Sequence, residues 1–396
     1  MNFLIDLATF ELSALALLAL AAWVFLTWGR AGFWRADTWL VPEPRDQGAG
    51  RQAPRVAVII PARDEAPTIG QTLASLTSQH YDGDLAIWVV NDQSTDATGD
   101  IARAASTPRC PVRVIDGDAL PDGWSGKVWA LAQGVEAVAH NTDYLLLTDA
   151  DILYRQGTLA KIINKAEHNS LTFVSLMAKL DARGPWGKLL VPAFIYFFQL
   201  IYPFKRTNTR YDPLAGAAGG CFLVRRDALE AAGGLQTIKG DIIDDCALAK
   251  ALKRARPAHD TLTALTHDVV SLRDNRSLES IWNMVARTAF TQLGYSWLAL
   301  AGAIAGLALT FIVPVWAVAA WALGDTSFGI SLIGLAAWVL MARTYWPTIR
   351  MYGLSAGWAF ALPAAAVIYG AATVASAIRH AKGSGARWKG RSYPAR

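Results

Sequence analysis

The chain is short of charge. Only 17% of its 396 residues are Asp, Glu, Lys or Arg, whereas 53% are hydrophobic and 16 are Trp. Its mean hydropathy is +0.25. That is rich for two soluble domains and fits a catalytic domain joined to membrane spans. Cysteine is scarcer still. Cys110, Cys221 and Cys246 are far apart with no CxxC, which argues against both a zinc site and a disulfide framework and suits a reduced, cytosol-facing domain. The six histidines show no HxxxH spacing. Neither a Walker A sequence nor GxGxxG follows the first predicted strand, which argues against a P-loop NTPase or a dinucleotide enzyme. The formal net charge is +5, but no basic stripe lies on a recognisable nucleic-acid motif, so nucleic acid is not an expected partner. The basic run is the tail from Arg379 to Arg396, placed to meet anionic headgroups.

What the chain has in quantity is apolar stretches. Leu12 to Trp28 carries no charge and has about the length of a span. Asp6 and Glu11 precede it instead of a basic region, and no clear cleavage site follows, so it reads as an anchor rather than a signal peptide. Arg30 and Arg35 follow it and place the next segment in the cytoplasm. Near the other end are 297–323, 328–341 and 354–378. The first and third are long enough to span, and the second only if it extends toward Trp346. One span before and three after a cytoplasmic domain would put the basic tail outside, against the positive-inside rule. Either one stretch is re-entrant, with Pro363 as a candidate break, or the count differs. The apolar segment 186–204 is marginal as a span and reads either as an interfacial segment or as a buried core helix.

Between these lies an alternating pattern. Strands are expected at 55–60, 85–90, 112–115 and 171–177, with helices at 68–78, 96–105, 127–139 and 156–167. That alternation predicts a parallel sheet with right-handed crossovers. The central stretch is DYLLLTDAD, Asp143 to Asp151, a buried strand ending in two carboxylates on alternate residues. Asp149 and Asp151 could hold Mg²⁺ or Mn²⁺ together with phosphate oxygens. Other strand ends add Asp64, Glu65 and Asp92, and carboxylates at successive strand ends converge on one edge of such a sheet. A Gly-rich turn, Gly216 to Val224, permits close approach to a ligand. Asp241, Asp244 and Asp245 open a helix, more acid than a cap needs. This constellation suits transfer from a nucleoside diphosphate, with one carboxylate free to deprotonate an acceptor hydroxyl.

In order, PARDE, VVNDQSTD, GWSGK, LLTDADI and IDDCALA resemble the family 2 glycosyltransferases of the GT-A fold, and in particular the hopanoid-biosynthesis-associated membrane glycosyltransferases. The resemblance runs from about Pro61 to Asp245. It implies an α/β fold: a GT-A catalytic domain, Rossmann-like with a mostly parallel sheet, flanked by transmembrane helices. The expected division is an N-terminal helix to residue 30, a linker 31–54, the catalytic domain 55–280, a membrane region 281–378 and the tail 379–396. By resemblance, Pro61, Ala62, Asp64, Glu65 and Asp92 would line the nucleotide pocket, and Trp124 and Lys127 would border the diphosphate and sugar. Asp149 and Asp151 would form the DxD pair, with Asp151 the more direct metal ligand. Gly219 and Gly220 would lie on the acceptor side. Asp245 would be the general base, beside Asp244 where the family has Glu.

The (Q/R)xxRW motif of many lipid-acting and polymer-forming members is degenerate here. Arg287 could serve as its Arg and as a diphosphate ligand, but the Gln and Trp are missing. The expected protein is therefore a multi-pass enzyme of the bacterial inner membrane with its catalytic domain in the cytoplasm. It would move one sugar from a nucleotide sugar, a UDP-sugar by expectation, to a lipid hydroxyl of hopanoid or polyprenoid type, inverting the anomeric centre with Mg²⁺ or Mn²⁺. A processive polysaccharide synthase and a non-catalytic membrane scaffold are the alternatives.

Overall fold

The structure, a computed structural model, describes residues 2–43, 52–383 and the short strands Arg387–Trp388 and Arg391–Ser392. Helix α1 (Asn2–Trp28) is followed by an α/β unit: β1 (Val56–Ala62), α2 (Ile69–Thr77), β2 (Leu85–Asn91), α3 (Thr98–Ala104), β3 (Val112–Asp116), α4 (Gly126–Ala137) and β4 (Tyr144–Thr148). Then come β5 (Ile152–Tyr154), α5 (Thr158–His168), β6 (Phe173–Lys179), α6 (Gly184–Ile201), α7 (Phe204–Thr207), β7 (Cys221–Arg225), α8 (Arg226–Ala231), α9 (Asp244–Ala255) and β8 (Leu262–Ser271).

The eight strands form one sheet in the order β3-β2-β1-β4-β7-β6-β8-β5. Pairings from β3 to β4 and between β6 and β8 are parallel, whereas β4–β7, β7–β6 and β8–β5 are antiparallel. Every residue of β1 and β4 is buried, as their unbroken apolar runs require of strands covered on both faces. Alternate residues serve opposite faces. Val56, Val58 and Ile60 pack with α2, α3 and α5, while Ala57 and Ile59 pack with α4, α8 and α9. Each Val or Ile side chain among them contributes about 1.5–3 kcal/mol by burial. Helix α4 lies so close on β1 that a Cβ at Gly134 would come within 2.4 Å of Ile59. Two strands, β5 and β8, were not expected. A three-residue strand has no readable period, and β8 mixes buried Thr263 and Thr266 with its aliphatics because their hydroxyls find partners, Thr263 donating to the Gly216 carbonyl at 2.6 Å and Thr266 accepting from the Asp268 N–H at 3.0 Å.

Helix α10 (Leu278–Gln292) leaves the sheet. Next, α11 (Trp297–Leu307) runs through a π turn before Pro314 into α12 (Val313–Ala322), then α13 (Phe328–Met351), a 3-10 turn (Ala356–Ala361) and α14 (Leu362–Ala381). Four segments are long and apolar enough to cross a membrane: Glu11–Trp28, Trp297–Ala322, Phe328–Met351 and Ala356–Ala381. The middle stretch thus extends beyond Met341. The first three lie side by side. Ala16 packs with Ala317 and Ile330, the Trp23 indole donates to the Thr310 carbonyl at 2.7 Å, and Gly334 closes on Pro314 and Ala317.

The fourth differs. Gly370 faces Leu307 and Ile304, Ala377 packs with Leu300, and His380 stacks on Tyr295 at 4.4 Å, so α14 climbs back toward the start of α11. At its other end, the Phe360 carbonyl accepts from the indole of Trp338, midway along α13. The segment 352–361 descends only half the bundle before α14 returns. Helix α6 crosses three of these elements rather than following one. The Leu200 carbonyl accepts from Arg30 at the end of α1, the Tyr196 hydroxyl pairs with Thr344 on α13, and the Leu190 carbonyl accepts from Tyr369 on α14.

Candidate active site

The first wall of the site comes from the loops after β1 and β2. They are cross-linked: the Asp92 N–H donates to the Ala62 carbonyl at 2.8 Å, the Asp64 N–H to the Ser94 hydroxyl at 3.1 Å, and the Thr95 N–H to the Asp64 carboxylate at 2.8 Å. Asp64 adopts φ 50°, a left-handed conformation its short polar side chain supports through those bonds. Asp92 is fully buried at the end of the sheet. Pro61, Ala62, Asp64, Glu65 and Asp92 are therefore gathered into one wall. Trp124, just before α4, packs edge-on against Trp129 with centroids 5.1 Å apart.

The turn carrying Asp149 and Asp151 is bolted from four sides. Thr72 donates to the Ala150 carbonyl at 2.8 Å, and the Leu272 N–H to the Asp151 carbonyl at 2.7 Å. Thr148 donates to the Gly220 carbonyl at 2.8 Å and accepts from Tyr154 at 2.9 Å. With the backbone so occupied, both carboxylates are left for other partners. Burial pushes the Asp151 carboxyl above its ordinary value, neighbouring Asp149 adds to this, and Arg273 opposes it. Two hard oxygen donors that repel each other are the chemistry of a Mg²⁺ or Mn²⁺ site. Among the described residues no group of three or more His, Cys, Asp and Glu gathers to cage a metal. A cation here would complete its shell with water and substrate oxygens, as Mg²⁺ commonly does.

Lys127, in the first turn of α4, sits at the centre. Its ammonium lies 2.9 Å from Asp149 and 3.2 Å from Asp244, joining the turn after β4 to the start of α9. Burial works against its charge, but Asp149, Asp244 and Asp245 more than offset this and hold it protonated. Asp245 is clamped by two backbone donors, the Gly219 N–H at 2.8 Å and the Cys246 N–H at 2.7 Å. Burial and Asp244 push its carboxyl up to about 6, against the pull of Lys127. Gly219 thus holds Asp245 directly, and a Cβ there would come within 3.0 Å of the Lys127 ammonium. Gly220 packs on Ile152. A cleft of about 840 Å³ opens beside α9, lined by Tyr202, Ile238, Cys246, Lys250 and Gln292 among others.

Two features escaped the sequence. Arg273 lies 3.3 Å from Asp151, yet it follows the unexpected strand β8 and belongs to no motif. The other is that Lys127, expected to border the diphosphate and sugar, forms ion pairs with Asp149 and Asp244. Arg287 is half-buried in the third turn of α10.

Residues 57–233 match glycosyl transferase family 2. The chain carries a family 2 glycosyltransferase domain. The match runs from β1 to the end of α8 and stops short of Asp244 and Asp245. The probable glycosyltransferase YdaM of Bacillus subtilis is 28% identical over 189 residues, 46% of this chain and 43% of that protein. A 4,4'-diaponeurosporenoate glycosyltransferase of Staphylococcus aureus is 38% identical over 112 residues, 28% of each chain. The chain thus aligns with less than half the length of these curated relatives. A mannosyltransferase from Pyrobaculum calidifontis, solved with GDP-Man and Mn²⁺, superposes with a TM-score of 0.56 at 21% identity, over 93% of this chain and 98% of that one. That likeness covers the long apolar helices as well as the sheet and shows a shared fold. The mixed, mostly parallel sheet is that of a GT-A glycosyltransferase domain.

Proposed function

We propose that the protein is a membrane glycosyltransferase that moves one sugar from a nucleotide sugar, a UDP-sugar by preference, to a lipid hydroxyl. The observation that carries this reading is Lys127, which ties Asp149 on the donor side to Asp244 beside the clamped Asp245. Pro61, Ala62, Asp64, Glu65, Asp92 and Trp124 would receive the nucleotide, with Gly219, Gly220 and the neighbouring cleft on the acceptor side. Bound at Asp149 and Asp151, Mg²⁺ or Mn²⁺ would supply positive charge to the diphosphate. Asp245 takes the proton of the acceptor hydroxyl. That oxygen bonds to the anomeric carbon as the carbon–oxygen bond to the diphosphate breaks and its electron pair leaves with the phosphate. Attack from the opposite face inverts the centre.

A lipid acceptor is supported by where the carboxyl edge of the sheet points. Lys179, ending β6, lies 5.9 Å over the Tyr352 ring at the end of α13, and Asp181 before α6 pairs with Arg276 before α10 at 3.1 Å. The Staphylococcus aureus relative's name supports an acceptor of lipid type. The test is transfer by purified protein, with Mn²⁺ or Mg²⁺, a panel of nucleotide sugars and a lipid extract containing hopanoids and polyprenols. A new glycolipid of inverted configuration is the expected product. A retained configuration overturns the displacement, a polymer overturns single transfer, and the absence of donor turnover overturns the activity.

The return of α14 supports a reading without the charge conflict. With three crossings and a re-entrant 352–381, the basic tail and the catalytic domain share the cytoplasmic face, as the positive-inside rule demands. An impermeant maleimide added to intact spheroplasts is expected to label Asp325→Cys and to spare Lys382→Cys until the membrane is permeabilised. Labelling of both in intact spheroplasts would make the last segment a true crossing.

A further inference from the structure

The two carboxylates of the proposed cation site are each held by a cation of the protein itself, Asp149 by Lys127 and Asp151 by Arg273. These cations differ in kind. Lys127 is boxed in by three carboxylates, and its side chain is 20% exposed. Arg273 approaches from the solvent side. Its side chain is 42% exposed, over an Asp151 side chain that is 8% exposed. Its backbone, in contrast, is fixed. The Arg273 N–H donates to the Ser271 hydroxyl at 3.2 Å, Ser271 pairs with Ile152 in the β5–β8 ladder, and the Leu272 N–H holds the Asp151 carbonyl. The end of β8 is thereby registered to the acidic turn, and a part-exposed guanidinium is mounted on a hydrogen-bonded base.

We infer that Arg273 is a donor-positioning residue. It occupies Asp151 in the free protein and passes to the diphosphate of the donor when a divalent cation takes its place. This rests on the function proposed above. The argument is one of displacement. Arg273 engages one oxygen of Asp151, and a divalent cation held by that carboxylate would meet the guanidinium's positive charge at close range, which favours its departure. A donor bound together with that cation would offer phosphate oxygens to the released guanidinium. A planar guanidinium can bind two of those oxygens at once, and an ammonium cannot. Asp151 is buried, so the guanidinium leaves without penalty only when the incoming cation takes over its charge. Arg273 thus acts twice, with opposite signs: it opposes the cation alone and favours cation and diphosphate together.

That reversal is the test. Binding of Mn²⁺ alone, followed by electron paramagnetic resonance, and of UDP, GDP and UMP at saturating Mn²⁺, followed by calorimetry, would be measured for wild type, Arg273→Gln and Arg273→Lys. Arg273→Gln is expected to bind Mn²⁺ alone about threefold more tightly and the preferred nucleoside diphosphate about tenfold more weakly, with UMP unchanged. Arg273→Lys is expected to restore the opposition to Mn²⁺ but only part of the diphosphate affinity. Unchanged Mn²⁺ affinity, or equal losses for UDP and UMP, would reduce Arg273 to a surface ion pair and overturn the inference while leaving the function intact. A folded wild type that binds Mn²⁺ but no nucleoside diphosphate would overturn the proposed function and this inference with it.

Discussion

Asp245→Asn is expected to lower kcat for sugar transfer by about a thousandfold, within the ~10²–10⁴ that positioned proton transfer contributes. Nucleoside diphosphate affinity should change by less than about threefold, because the wall built by Asp64 and Asp92 is held by its own bonds to Ser94, Thr95 and Ala62. The reason lies in how Asp245 is held. Two backbone N–H groups fix both carboxylate oxygens, so the side chain cannot rotate away from the acceptor side. Burial and Asp244 raise it to about 6, which makes it a stronger base than an ordinary Asp. The pH profile gives an independent check. A base must be unprotonated, so wild-type kcat/KM should rise with pH through an apparent value near 6 and then level off. A bound cation shifts that limb to lower pH, never higher. The residual activity of Asp245→Asn should lack the limb. A variant keeping a tenth or more of wild-type kcat would remove Asp245 from the role of base.

Much of the catalytic unit is legible because its signals are local. Continuous apolar runs such as Val56–Ile60 and Leu145–Leu147 are what a doubly covered sheet requires, and the acids that follow them fall on one edge by topology. Legibility fails where a feature depends on depth or partnership. Hydropathy gives the length of 354–378, but only the contacts of Trp338, Gly370 and His380 show how deep it goes. Likewise, 186–204 reads as apolar from any side, and its crossing over α1, α13 and α14 is a matter of tertiary contact. Arg273 was invisible because the strand delivering it interrupts its aliphatics with Thr263, Thr266, His267 and Asp268, and β5, its partner at that edge, is three residues long. Lys127 was found by motif but its ion pairs were not, since nothing local to GWSGK announces that Asp149 and Asp244 close on it.

That partnership leads to the second large effect. Lys127→Met is expected to destabilise the protein by roughly 2–3 kcal/mol at pH 7.5, somewhat under the ~3–5 of a fully buried ion pair because the ammonium keeps some solvent contact. The Met side chain fills similar space but leaves Asp149, Asp244 and Asp245 facing one another without a cation. The loss should depend on pH with a definite sign. Asp245 already sits above its ordinary value while Lys127 pulls it down, so removing Lys127 raises it further. Between the ordinary and the raised value the folded state binds more protons than the unfolded one. Stability therefore falls as pH rises through that window. The gap between variant and wild type should be small at pH 5 and widen toward pH 8 in thermal unfolding scans in detergent. Mn²⁺ should narrow it, because a cation at Asp149 and Asp151 restores positive charge where Lys127 supplied it. Arginine is no substitute. A planar guanidinium is larger than the ammonium packed between Asp149 and Asp244 and does not reproduce its compact point charge. A gap that stays constant across this pH range would show that Lys127 acts through packing, and that the three carboxylates do not depend on it.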